Sequence, residues 1–171
     1  MTAQRTYTAK QWRHTQYASY FGYITQAIVN NLAPLLFLIF QDVYGIPLEK
    51  ITLLVTVNFC VQLLVDMVAA RFVDKIGYRP CIVAAHLFAA AGLAGLGLLP
   101  RLLPDPFVGL LGAVFLYAIG GGLIEVLISP IVEACPTDNK ASVMSLLHSF
   151  YCWGSVGTIL ISTLFFMVFG M

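Results

Sequence analysis

A chain of 171 residues with a formal net charge of +1 offers no electrostatic attraction to nucleic acid or to an acidic partner. Hydrophobic residues make up 60% of it and charged residues 10%, against about 25% charged in soluble domains. A globule of this size cannot hide that much apolar surface, so a soluble domain is excluded and an all-α protein embedded in the lipid bilayer is expected.

Five apolar runs follow in chain order, each reaching the roughly 20 residues that a bilayer core requires. Residues 1–17 are polar and are expected to form an amino-terminal segment outside the membrane. The first run is too long, and lacks the small-residue cleavage site, for a removed signal peptide. It predicts a retained span from Ala18 to Phe40. Gln26, Asn30 and Asn31 lie inside it, with Pro34 one turn beyond Asn30. Proline frees the carbonyl four residues back and weakens the helix there. The amides either satisfy that defect or present themselves to a hydroxyl-rich or amide-bearing ligand.

Gly45 and Pro47, with Asp42 and Glu49, predict the first turn. Span 2 follows from Ile51 to Ala70 and carries Asn58, Gln62 and Asp66 at intervals of four, along one helix face. Such a row is either a hydrogen-bonded seam between helices or the wall of a cavity. Span 3 is expected from Cys81 to Leu99, with Gly92 and Gly95 as packing positions. His86 is its lone histidine.

Pro100, Pro104, Asp105 and Pro106 break the chain before span 4, from Phe107 to Val132. Glu125 sits deep in this run, after Gly120, Gly121 and Gly122 and before Ser129 and Pro130. The glycines permit either close helix approach or an opening in the packing. A carboxyl group here is a functional candidate: a carrier that takes up and gives off a proton, or a permanently protonated hydrogen-bond donor. Between Glu133 and Lys140, Pro136 and Asp138 are expected to stop one helix and help start the next. Span 5, from Val143 to Phe169, holds His148 a turn before Cys152 and two before Ser155. His148 either binds solute and relays protons or makes a structural hydrogen bond. Gly154 and Gly157 are expected to pack.

The side on which each loop lies follows from Lys and Arg. Arg5, Lys10 and Arg13 precede span 1, Arg71, Lys75 and Arg79 follow span 2, and Lys140 follows span 4, so seven of the nine fall on one side. Lys50 and Arg101 fall on the other. The amino terminus is therefore expected to be cytoplasmic in a multi-pass protein of the cell (inner or plasma) membrane. Tyr20, Tyr23, Tyr44, Tyr78 and Tyr151 lie near span ends or on helix surfaces, where some would act as interfacial anchors.

The four cysteines show no metal-ligand spacing, and no Ser/His/Asp set, paired carboxylates or phosphate loop is present. Neither an enzyme nor a cofactor is expected.

The stretch from Ala70 to Pro80 resembles the signature loop of the major facilitator superfamily, Gly-x-x-x-Asp-Arg/Lys-x-Gly-x-Arg/Lys-Arg/Lys, at the same place between spans 2 and 3. Asp74, Lys75, Gly77 and Arg79 match, while Ala70 and Pro80 depart. Gly77 suits a tight turn and Asp74 a helix cap. The resemblance further implies a gate in which Asp74 and its basic neighbours latch one helical bundle to the other. Asn30, Asn31 and Leu32, the segment from Gly122 through Glu125 to Pro130, and the segment from Ser145 through His148 to Tyr151 resemble the fucose permease branch, a sugar:proton symporter. That branch has an acidic residue where Ala33 and Pro34 stand here. Tyr117 stands where many drug-exporting members carry arginine.

Complete members have twelve spans in two bundles, each built of inverted three-span repeats. The resemblance therefore implies five helices of an incomplete amino-terminal six-helix bundle, with the carboxy-terminal bundle missing, and a partial gene product is expected. The activity implied is proton-coupled uptake of a small polar, sugar-like solute by the full-length parent. Glu125 would couple protons with Asp66; Gln26, Asn30, Asn31, Asn58, Gln62, Glu125 and His148 would bind the solute; Asp74, Lys75, Gly77 and Arg79 would gate. An exporter of the same superfamily and a non-transporting association or assembly protein are the alternatives. An intramembrane enzyme lacks a second catalytic group at suitable spacing.

Overall fold

The computed structural model describes residues 9–169, and these form five helices joined by short turns. They are α1 (Ala9–Tyr44), α2 (Leu48–Ile76), α3 (Tyr78–Leu102), α4 (Pro106–Glu133) and α5 (Lys140–Phe169). Arg5 and Met171 lie outside the described residues. Each predicted span falls inside one helix, and all five helices are long and apolar enough to cross a membrane.

The helices overrun the predicted spans because good helix formers continue past the apolar runs. Lys10, Gln11, Arg13 and Gln16 extend α1 toward the amino terminus. Pro34 sits inside α1 without ending it. α2 runs on to Ile76, since nothing between Ala69 and Gly77 breaks it. Asp74 therefore lies in the last turn of α2 and does not cap a helix start. Gly77, at φ 99° and ψ 149°, is the single linking residue between α2 and α3, a conformation open to glycine almost alone. The α5 cap is Asn139, whose Oδ1 accepts from the Ser142 backbone N–H at 3.0 Å. Asp138 stands one residue too early for that role, since a cap must directly precede the first helical residue. At α4, Asp105 accepts from the Phe107 N–H at 2.9 Å and Pro106 occupies the first turn, where a missing donor costs nothing.

α4 is the centre of the bundle, buried along most of its length, and its glycines set how near its neighbours come. Gly109 faces the Leu99 carbonyl and Gly120 faces the backbone of Ala85 and Ala89, while Gly92 of α3 meets the Tyr117 backbone. At each of these positions a methyl group would overlap a neighbour's main chain. Gly122 turns the other way, with Val65 of α2 3.1 Å from where its Cβ would be. Thus the glycine triplet produces close approach rather than an opening. Gly154 of α5 packs on Ile24 and Ala27 of α1, while nothing approaches Gly157. The outer surface is apolar: Phe21, Leu63 and Trp153 are 69%, 61% and 74% exposed, as lipid-facing side chains should be.

Candidate functional site

Polar side chains inside the spans gather on one side of the bundle. Tyr23, Gln26 and Asn30 of α1 recur at intervals of three and four residues, which places them on one helix face. α2, α4 and α5 each bring partners to that face. Gln26 donates from Nε2 to Oε2 of Glu125 at 3.3 Å. Tyr23 and Ser129 share a hydroxyl hydrogen bond of 2.8 Å. Gln62 donates from Nε2 to Oδ1 of Asn30 at 3.3 Å and to Oδ1 of Asn58 at 3.2 Å. Asn30 in turn donates to the Tyr151 hydroxyl at 3.2 Å. Next to it, Asn31 donates to the Ala27 carbonyl at 2.7 Å and to the Ser155 hydroxyl at 3.1 Å.

The predicted residues take different stations. Asn58, Gln62 and Gln26 are buried, Asn30 and Asn31 are partly buried, and Glu125 and His148 are exposed. Glu125 thus leaves the α4 core to stand on the open polar face, although Ile124 beside it is fully buried. Asp66 is near enough to Glu125 for the two charges to interact, and its Oδ1 is buried without a hydrogen-bond partner. The Oε1 of Gln26 is likewise buried and unpartnered. His148 touches the face through Tyr23, its ring edge-on at 5.6 Å. The row of polar residues on α2 is a hydrogen-bonded seam at Asn58 and Gln62 and ends at Asp66, whose Oδ1 is buried without a partner.

Asp74, Lys75, Gly77 and Arg79 sit apart from this face, at the turn between α2 and α3, with the three charged side chains exposed. A groove of about 1090 Å³ between the start of α1, the start of α3 and the end of α4 includes Arg79 but none of the polar-face residues. His86 also lines it, and its Nδ1 lies 2.8 Å from the Ile82 carbonyl. Among the described residues no cluster of His, Cys, Asp or Glu is fit to hold a metal.

Tyr23, Tyr151 and Ser155 belong to the polar face although the sequence reading placed none of them among the solute-binding residues. Tyr20 and Tyr23 are buried within the bundle: Tyr20 stacks on Phe150 at 4.9 Å, and Tyr23 meets Tyr151 edge-on at 6.1 Å. Their spacing was the available signal, since Tyr23 lies three residues before Gln26, and Ser155 lies four beyond Tyr151.

Among proteins of known kind, no curated protein and no solved structure matches the chain. The family pattern of the Major Facilitator Superfamily matches residues 19–171. That match takes in all four polar-face helices and the turn carrying Asp74 and Gly77. The chain therefore belongs to the major facilitator superfamily, a family of secondary transporters that span the membrane many times.

Proposed function

We propose that the polar face is the solute- and proton-binding wall of a transporter taking up a small, sugar-like polar solute. The observation that carries this reading is Glu125. A carboxyl group in the middle of an apolar helix is costly in lipid, yet this one projects to the open side, hydrogen-bonded to Gln26 and near Asp66. A carboxyl group so placed can take up a proton and lose it when water or the opposite bundle reaches it.

Asn30 and Asn31 supply amides that pair with hydroxyl groups, and Gln26 aligns Glu125. Asn58 and Gln62 stand behind Asn30 and fix its amide plane. His148, exposed beside Tyr23, is a further contact at the rim. In the full-length parent a carboxy-terminal bundle closes the face from the other side, and alternating access follows from rocking one bundle on the other. Asp74, Lys75 and Arg79, held at the tip by Gly77, latch that movement. The Lys and Arg bias puts this turn and the amino terminus in the cytoplasm of a cell-membrane protein. Tyr117 is buried against α3 and offers no positive charge to the cavity, so an exporter built on a fourth-span arginine is disfavoured.

The test is uptake by the full-length parent under an imposed pH gradient. Glu125→Gln is expected to abolish gradient-driven accumulation while leaving solute exchange. Accumulation equal to wild type overturns the assignment of Glu125.

A further inference from the structure

The hydrogen bonds between α1 and α5 have a direction. The Asn31 side chain meets the Ala27 carbonyl at 2.7 Å, and only its NH₂ can do so. That same nitrogen is 3.1 Å from Ser155 Oγ, so the serine accepts. In Asn30 the amide oxygen takes the Gln62 donor, which turns the nitrogen toward Tyr151 Oη. The tyrosine accepts as well. A hydroxyl group that accepts still has its own proton to give. Among the described residues, neither hydroxyl donates that proton to a side chain or carbonyl. Tyr151 and Ser155 lie one turn apart on α5, partly buried, and so form a pair of donors on one face.

The other side of the polar face is rich in acceptors. Gln26 is 2% exposed and its Oε1 has no donor; Asp66 Oδ1 has none. Glu125 stands open beside them with the single bond from Gln26. No Lys or Arg balances these groups, since none occurs in residues 14–49, 51–70, 102–139 or 141–171. A solute carboxylate would meet two protein carboxyl groups with no Lys or Arg to receive it, and His148 stands only at the rim, against Tyr23.

We propose that Tyr151 and Ser155 are solute-binding donors, set against acceptors on Gln26 and Glu125, and that the divided site takes neutral polyhydroxylated solutes and refuses anions. This rests on the polar face being a solute site. It adds the α5 residues that recognise the solute's oxygens and the charge class that is turned away. A neutral sugar has hydroxyl groups that accept from α5 and donate to the α1 and α4 side at once; its uronate loses that match at the charged end.

The experiment titrates a panel of neutral aldohexoses and the matching uronates into the protein in lipid nanodiscs, by calorimetry. A hexose is expected to bind, with its uronate at least about 10-fold weaker. Tyr151→Phe and Ser155→Ala are each expected to weaken that hexose by about 10-fold, the loss of one hydrogen bond. Variants that bind the hexose as wild type does, or a uronate that binds as well as its hexose, overturn the inference. The Raman doublet of Tyr151, taken as wild type minus Tyr151→Phe, reads the hydrogen-bond direction without any ligand. An acceptor signature is expected; a donor signature overturns the α5 assignment whichever sugars bind. Silence of every hexose alongside an acceptor signature refutes the sugar reading of the site, and the recognition roles fall with it.

Discussion

Single residues carry both the chemistry and the packing of this chain, and the two kinds respond differently to change. Gly120 is a packing residue: a Cβ there would stand 2.6 Å from the Ala85 carbonyl oxygen. Gly120→Ala is expected to lower stability by about 1–3 kcal/mol, the usual cost of overpacking, seen as a lower melting temperature in detergent. Gly157→Ala, where nothing lies within 4 Å, is expected to leave it unchanged. The two glycines look alike in sequence, because clearance depends on which neighbour crosses at that height. Glu125 was legible from sequence as an ionisable group among apolar residues. Its exposure was not, since that depends on how α4 is rotated against α1 and α2. Cys135, just past α4, is a third case. Its thiol donates to the Ile131 carbonyl at 3.3 Å, and burial pushes its pKa up. Because the thiolate is the reactive form, less of it exists at neutral pH than for a free thiol. Maleimide labelling of Cys135 is expected to be slow at pH 7 and to quicken only under alkaline conditions. Fast labelling at pH 7 would contradict that placement.

At the scale of elements, the five apolar runs were enough to count the helices, and the physics of lipid explains why. A chain in hydrocarbon must satisfy every backbone group internally, so an apolar run of sufficient length is a helix. Helix ends follow other rules. Water satisfies the backbone beyond the bilayer, and there the limits are set by breakers and caps: Gly45, Gly77, Asp105 and Asn139. Hydropathy registers none of these, which is why α2 runs past its apolar stretch to Ile76, stopped only by Gly77. The one-residue link at Gly77 makes the α2–α3 turn stiff. With φ at 99°, Gly77→Ala is expected to cost about 1–3 kcal/mol in backbone strain, and thermal unfolding should show it. An unchanged melting temperature would mean that the turn adopts another conformation. Asp74 and Arg79 flank that glycine on two different helices, so its angle also sets where the exposed charges of the turn stand.

For the molecule as a whole, the division is between an apolar outside and a polar face shared by four helices. α3 has no part in that face; it packs on α4 through Gly92, Gly95, Gly109 and Gly120 and leaves α4 free to meet α1 and α2 on its other side. From sequence, Gln26, Asn30, Asn58, Gln62 and Glu125 could be named as polar residues in spans, and each helix face could be drawn separately. Which face meets which could not, because an apolar helix surface looks the same whether it touches lipid or another helix. Tyr23, Tyr151 and Ser155 were hidden for this reason: beside apolar neighbours they resemble interfacial or surface residues until α1 and α5 are brought together. The central claim is that this face meets water and solute while the opposite face meets lipid. The measurement that tests it most directly is labelling by a membrane-impermeant, water-soluble maleimide of single cysteines in a background lacking Cys60, Cys81, Cys135 and Cys152. Asn30→Cys and Glu125→Cys are expected to react, and Phe21→Cys and Leu63→Cys to stay unreacted. Labelling at Phe21 and Leu63, with none at Asn30 and Glu125, would contradict the account.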